Sequence, residues 1–444
     1  MTETNKAATS PETPASPETT GIVLGGGGSR GSYEIGVLQT LTSQKKAFDV
    51  VTGTSIGAIC GAVYVQGSVQ DLTDWIGTFT QDSVASNLFM FPAQYTSAGH
   101  NYASAGDFFA DFSKGGPGIS PLRDKLKGLF SYEKFAASPM KFGCLSYNVS
   151  RQQPQSFTKN DMNPDNAVDV LLASAAYFPA FNFITMNGEY YIDGGFAQTN
   201  PVLLARDLGA GKLVVVDVQD MDVPDPDLAP GDLLIRPIWK LAYYLDFDGK
   251  TLKNQVALGQ LDALKYLDLA PGYLYTFYPE DWNHMKRLEK SAMELVAAEG
   301  ESYLLEKMDG VMKEIYQFIL GYVPRPLQNR YANEYIFGRI LECMGLIAGI
   351  SPYSQLHFND FIKQLLEKFT QFDDDPNDIR KPLLYHAMEM KGLRDMIVFF
   401  HSAIQGFNGH LPAQFGILKE KYQLPYYLAW GWHLMERYRL LLLI

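Results

Sequence analysis

The residues of this chain best suited to chemistry lie in Gly53-Thr54-Ser55-Ile56-Gly57. A serine hydroxyl is a weak nucleophile unless a sharp turn exposes it beside a base and near oxyanion donors. Gly-x-Ser-x-Gly is the pattern of such a turn, because backbone atoms approach so closely there that the flanking Gly53 and Gly57 suit it. The setting agrees. Phe48-Asp49-Val50-Val51 reads as a buried strand, and the small and apolar residues Ile56 to Ala62 read as a closely packed helix with its positive end at Ser55. The bland alternative is a chance match in a glycine-rich strand–helix turn. The flanking elements favour the nucleophile.

Upstream, Gly21-Ile22-Val23-Leu24 forms a short apolar run, and Gly25-Gly26-Gly27-Gly28-Ser29-Arg30-Gly31 follows. Ile35, Leu38 and Leu41 then recur at helical spacing. A β–loop–α–β–elbow–α unit of this kind implies a parallel sheet covered on both faces. Four consecutive glycines expose a row of backbone N–H groups, which can hold a pyrophosphate or a developing oxyanion. Gly26-x-Gly28-x-x-Gly31 also fits a dinucleotide fingerprint, with Asp49 as the ribose ligand. Asp49 precedes Val50-Val51, however, so it sits near the start of its strand, whereas a ribose ligand belongs at the end. A dinucleotide site also has no use for a serine elbow. The oxyanion reading is preferred.

Tyr190-Tyr191-Ile192 is strand-like and ends at Asp193-Gly194-Gly195. Taken alone, this run reads more readily as a hairpin turn. Its chemical reading is an aspartate at a strand end, free to project toward Ser55, with glycines that let substrate come close.

Together, the glycine loop, the serine elbow and Asp193-Gly194-Gly195 resemble the patatin-like phospholipases. Leu172 to Ala180 and Asn200-Pro201 add to the likeness, which covers roughly residues 20 to 280. The resemblance implies a three-layer α/β/α sheet domain and lipid acyl hydrolysis. It implies Ser55 as nucleophile and Asp193 as the base of a two-residue dyad. It implies an oxyanion hole from Gly26, Gly27 and Gly28, with Arg30 nearby. No cofactor or metal is expected. Tyr177-Phe178-Pro179 is bulkier than the small-residue turn the family suggests, which bears on the shape of the acyl pocket. A base of this kind needs no histidine. His284 opens a charged amphipathic helix, and His100 lies in a Ser- and Gly-rich loop. Partial burial beside Tyr191 and Phe196 would raise the pKa of Asp193 and make it a better base.

The remaining sequence sets bounds. No apolar run reaches the ~18 residues of a membrane span. Residues 1–20 read as a disordered tail without the pattern of a signal peptide. With Cys60, Cys144 and Cys343 far apart, a cytoplasmic protein is expected. The net charge of -12 speaks against nucleic acid as a partner. Asn87 to Pro92, with Phe108, Phe109 and Phe112, reads as core packing of an irregular insertion or as the lid of an acyl channel. Beyond Pro279 the pattern turns helical, so the expected division is a catalytic domain over 21–280 and a mainly helical region over 281–444. Phe372 to Asp378 only faintly resembles a calcium loop and reads as solvated. Tyr426 to Ile444, rich in aromatics with Arg437 and Arg439, reads first as a helix docked on its own domain. The alternative is peripheral contact with a membrane. The functional expectation is a lipid acyl hydrolase acting on phospholipid at a membrane surface. The alternatives are a catalytically silent lipid- or partner-binding module, and a nucleotide-binding protein using the glycine loop.

Overall fold

A computed structural model of the chain describes residues 19–80, 119–178, 180–298, 308–327, 329–371, 392–407, 411 and 415–442. The tail up to residue 18, Asn87 to Pro92, His100, Phe108, Phe109, Phe112, Pro179 and Phe372 to Asp378 lie outside the described residues.

The N-terminal part is built on an eight-stranded sheet. Its strands are β1 (Thr20–Leu24), β2 (Val50–Thr54), β3 (Lys141–Asn148), β4 (Gln153–Thr158), β5 (Ile184–Met186), β6 (Glu189–Asp193), β7 (Lys212–Val216) and β8 (Leu233–Ile235). They run in the order β5-β6-β3-β2-β1-β7-β8, with β4 also paired to β3. From β3 to β8 the sheet is parallel, as the β–α–β pattern implies. The expectation of a parallel sheet fails beyond that, because β4 and β6 run antiparallel to β3, and β5 antiparallel to β6. The β5–β6 pairing has a local reason. Asn187 and Gly188 both adopt left-handed φ, 52° and 78°, which a two-residue hairpin turn requires.

The helices of this part are α1 (Gly31–Ser43), α2 (Ile56–Val65), α3 (Val69–Ile76), α4 (Ser120–Leu129), α5 (Tyr132–Ala137), α6 (Ala167–Ala175), α7 (Val202–Asp207) and α8 (Gly249–Tyr266). Side chains alternate along a strand, so the sheet divides the apolar residues between two faces. Ile22, Leu24, Val51 and Val216 join the core formed with α1, α2 and α6. Val23, Val50, Leu213 and Val215 pack on Val202 and Ala205 of α7. Burial of each such side chain stabilises by about 1.5–3 kcal/mol. Helices α1 and α8 cross with their backbones in near contact. A Cβ added at Gly36 would lie 2.0 Å from the Val256 carbonyl oxygen.

The C-terminal part is helical: α9 (Trp282–Ala298), α10 (Met308–Leu320), α11 (Gly338–Ile347), α12 (Phe358–Thr370), α13 (Leu393–Gly406), α14 (Gly416–Lys421) and α15 (Gln423–Leu442). These surround a second core that also takes in Ile238 and Tyr273 to Phe277, apart from Thr276. Trp239 and Tyr266 pack against both cores. The buried Glu342 carboxylate accepts the N–H of Tyr273 and of Tyr275 at 3.0 Å each, fixing the joint between the parts. In α15, Tyr426, Trp430 and Trp432 are buried in the helical core. That is the docked-helix reading, and it leaves these aromatics unavailable to a membrane interface. Among the described residues no helix is long and apolar enough to cross a membrane.

Candidate active site

Ser55 lies between β2 and α2, with φ 57° and ψ -125°. A non-glycine residue in that conformation costs on the order of 1–3 kcal/mol and persists only where its surroundings hold it. Two features hold it. Ser55 N–H donates to Ser174 Oγ at 3.0 Å, and Ser174 Oγ donates to the Leu145 carbonyl at 2.6 Å. The glycines of the elbow permit the backbone crossing, since a Cβ on Gly57 would stand 2.4 Å from the Leu24 carbonyl oxygen. One on Gly53 would stand 2.2 Å from the Gly57 carbonyl oxygen. With Ser55 as N-cap, the first turn of α2 directs its positive end at this residue.

The sheet register brings Asp193 to the same point. Thr54, the last residue of β2, pairs with Leu145 of β3. Asp193, the last residue of β6, pairs with the next residue, Ser146. Because β4 occupies the other edge of β3 over this stretch, β2 and β6 share one edge and meet end to end. The Asp193 carboxylate faces the Ser55 side chain there, near enough for the hydroxyl to lower its pKa. Gly195 N–H donates to Asp193 Oδ1 at 2.7 Å, and Asp193 N–H donates to the Ala176 carbonyl at 2.9 Å. Burial pushes the Asp193 pKa up from 3.8 to about 6, against the lowering effect of Ser55 and Gly195. Tyr191 is buried as expected, whereas Phe196 remains 52% exposed and stacks on Tyr177.

The glycine loop runs past Ser55, but its N–H groups are not equivalent. Gly26 N–H donates to the Thr199 carbonyl at 2.9 Å, so the expectation that Gly26 supplies an oxyanion donor does not hold. Gln219 Nε2 grips the Gly26 carbonyl at 2.5 Å. Gly26 instead allows close approach, since a Cβ there would lie 3.3 Å from Ser55 Cβ. Among the described residues, the N–H groups of Gly27 and Gly28 have no hydrogen-bond partner. Gly28 has φ 56°, and a Cβ on it would strike the Tyr244 carbonyl oxygen at 2.1 Å. Arg30 lies near the loop, as the resemblance implies, but its guanidinium is engaged elsewhere. Its guanidinium donates to the Ala242 and Val218 carbonyls at 2.8 and 3.2 Å and pairs with Asp220 at 2.9 Å. It braces the loop through these bonds while still lining the cavity. Asp49 accepts from Thr20 N–H at 2.8 Å at the start of β1, the end of the sheet away from the loop.

Ser55, Asp193 and Gly26 to Gly28 open on one cavity of about 230 Å³. Ile59, Phe79, Leu122, Leu245 and Phe247 give it an apolar lining, and Tyr177, Tyr244 and Gln219 a polar one. Among the described residues, its lining includes no histidine. Ser174, Gln219 and Tyr244 escaped the sequence reading. Ser174 lies inside the Leu172–Ala180 block that carried the family likeness, but nothing in the sequence marks Tyr244.

The sequence model of the family described as Patatin-like phospholipase matches residues 22–206. Residues 22–206 form a patatin-like phospholipase domain. The span runs from β1 through the elbow to Asp193 and α7. Relatives include Lysophospholipase NTE1 of Phaeosphaeria nodorum, 26% identical over 48% of this chain and 13% of that protein. Lysophospholipase NTE1 of Coccidioides immitis is 26% identical over 59% of this chain and 16% of that protein. The patatin-like domain thus matches a small part of much longer proteins. The crystal structure of VipD from Legionella pneumophila aligns over 94% of this chain and 90% of its own, at 13% identity and a TM-score of 0.37.

Proposed function

We propose that this protein is a lipid acyl hydrolase working through a Ser55–Asp193 dyad. The observation that carries the reading is a serine in a strained elbow, facing a buried aspartate of raised pKa, in the lining of a largely apolar cavity. In this reading Ser55 Oγ attacks the ester carbonyl while Asp193 takes its proton. The N–H groups of Gly27 and Gly28 stabilise the tetrahedral oxyanion. Asp193 returns the proton to the departing alkoxide, and the acyl group stays on Ser55. Water then attacks the acyl-enzyme with Asp193 again as base, and the fatty acid leaves. A pKa near 6 suits both roles, because the group is ionised at neutral pH yet basic enough to accept a proton. The substrate is read as a phospholipid or lysophospholipid met at a membrane surface. The family match and the names of the relatives support that class.

The nucleotide-binding alternative draws no support from Asp49, which is tied to Thr20. The test is a fluorophosphonate probe on wild type and Ser55→Ala, run beside fatty-acid release from phosphatidylcholine and lysophosphatidylcholine. Covalent labelling and release by wild type, both abolished in Ser55→Ala, are expected. Absence of labelling and of release in the wild type would leave the silent binding module as the better reading.

A further inference from the structure

The hydroxyls of Tyr177 and Tyr244 lie 3.2 Å apart in the cavity lining, and Tyr243 donates to the Tyr244 hydroxyl at 3.0 Å. A phenol carries one proton. Whichever oxygen donates across the Tyr177–Tyr244 pair, one proton of the pair remains for a third partner. Burial and the neighbouring Tyr244 and Asp193 push the Tyr177 pKa upward, so this phenol stays a donor at neutral pH.

Each tyrosine is also fixed to one half of the candidate machinery. Tyr177 follows Ala176, whose carbonyl holds the Asp193 N–H. The Tyr244 carbonyl holds the Ser29 N–H at 2.8 Å, directly after Gly28. The hydroxyl pair therefore keeps a set position relative to both the base and the oxyanion loop. Under the hydrolase reading, acyl carbons would leave water against Ile59, Phe79 and Phe247. The alcohol half would then fall to the polar lining residues.

We propose that the Tyr177–Tyr244 hydroxyl pair is a specificity site for the alcohol half of the substrate, binding a free hydroxyl on the carbon next to the ester-bearing carbon. Monoacylglycerols and lysophospholipids share that hydroxyl; esters of simple alcohols lack it. The proposal rests on the hydrolase reading above. A site with polar groups placed for a hydroxyl penalises a substrate that leaves them unpaired.

The experiment measures kcat/KM for 1-oleoylglycerol and for ethyl oleate in mixed micelles, with wild type, Tyr177→Phe and Tyr244→Phe. Fluorophosphonate labelling of Ser55 is followed in each. The expected result is a wild-type preference for 1-oleoylglycerol that falls about tenfold in each phenylalanine variant. Variants that keep the wild-type preference, or that lose both substrates in equal proportion, would overturn the alcohol site and leave the hydrolase standing. A wild type that cleaves neither ester and takes no label would overturn the hydrolase reading and this site with it.

Discussion

Replacing Asp193 with asparagine should remove activity and raise stability together. The folded chain holds this carboxyl at a pKa of about 6, against 3.8 for an ordinary aspartate. At 1.36 kcal/mol per pH unit, ionising it inside the fold costs about 3 kcal/mol. The sign follows from proton counting. Between 3.8 and about 6 the unfolded chain has released this proton while the folded chain keeps it. Stability therefore falls as pH rises through that window and stays reduced above it. Asparagine keeps an oxygen for the Gly195 N–H but never ionises. Asp193→Asn should thus be more stable than wild type by about 1–3 kcal/mol at pH 7.5, with the gap closing by pH 4. It should also lose turnover by about 10³-fold, because no proton acceptor faces Ser55. Wild-type kcat/KM should rise with pH up to about 6 and then level. The assays are urea unfolding at both pH values and a pH–rate profile on one soluble ester. A variant less stable than wild type at pH 7.5, or a stability gap that ignores pH, would show that burial does not burden this carboxylate.

Further perturbations separate the other parts of the site. Ser55→Gly should abolish labelling while stabilising the fold by about 1 kcal/mol, because glycine accepts the positive φ without strain; thermal unfolding reads this. Ser174→Ala removes the acceptor of the buried Ser55 N–H, so it should destabilise by about 1–3 kcal/mol and slow acylation at least tenfold in single-turnover kinetics. Gly28→Ala forces a Cβ onto the Tyr244 carbonyl and should cut kcat by about 10²-fold or more, whereas KM for a soluble ester should move much less. His284→Ala, at a residue outside the cavity lining, should keep kcat/KM within about twofold; a loss comparable to that of Asp193→Asn would refute a base that works without histidine.

What the sequence disclosed was local. The run from β1 through the glycine loop, α1, β2 and the elbow declares itself because periodicity, glycines and a serine lie within one β–α–β–α unit. Donor assignment in the loop did not, because the partner of Gly26 N–H is Thr199, far along the chain. Nor could the sequence show where the Arg30 guanidinium goes, because Ala242, Val218 and Asp220, which take it up, lie about 190–210 residues further along the chain. The antiparallel addition to the sheet was signalled by Asn187-Gly188, a hairpin dipeptide between strand-like runs that the reading passed over. Tyr244 reaches the cavity through a stretch without regular structure, where neither periodicity nor a motif offers a hold.

The meeting of β2 and β6 on one edge of β3 acts as a gauge. The distance between Ser55 and Asp193 is set by the single peptide link from Leu145 to Ser146, whatever length of chain separates the two in sequence. Segments between α3 and α4, or between α5 and β3, can grow, shrink or be exchanged for those of another protein without re-spacing the dyad. The converse holds for β3 itself. Inserting one residue there would leave both side chains in the chain and still part them, so β3, which supplies neither, is the segment on which grafting the proposed activity into another scaffold would depend.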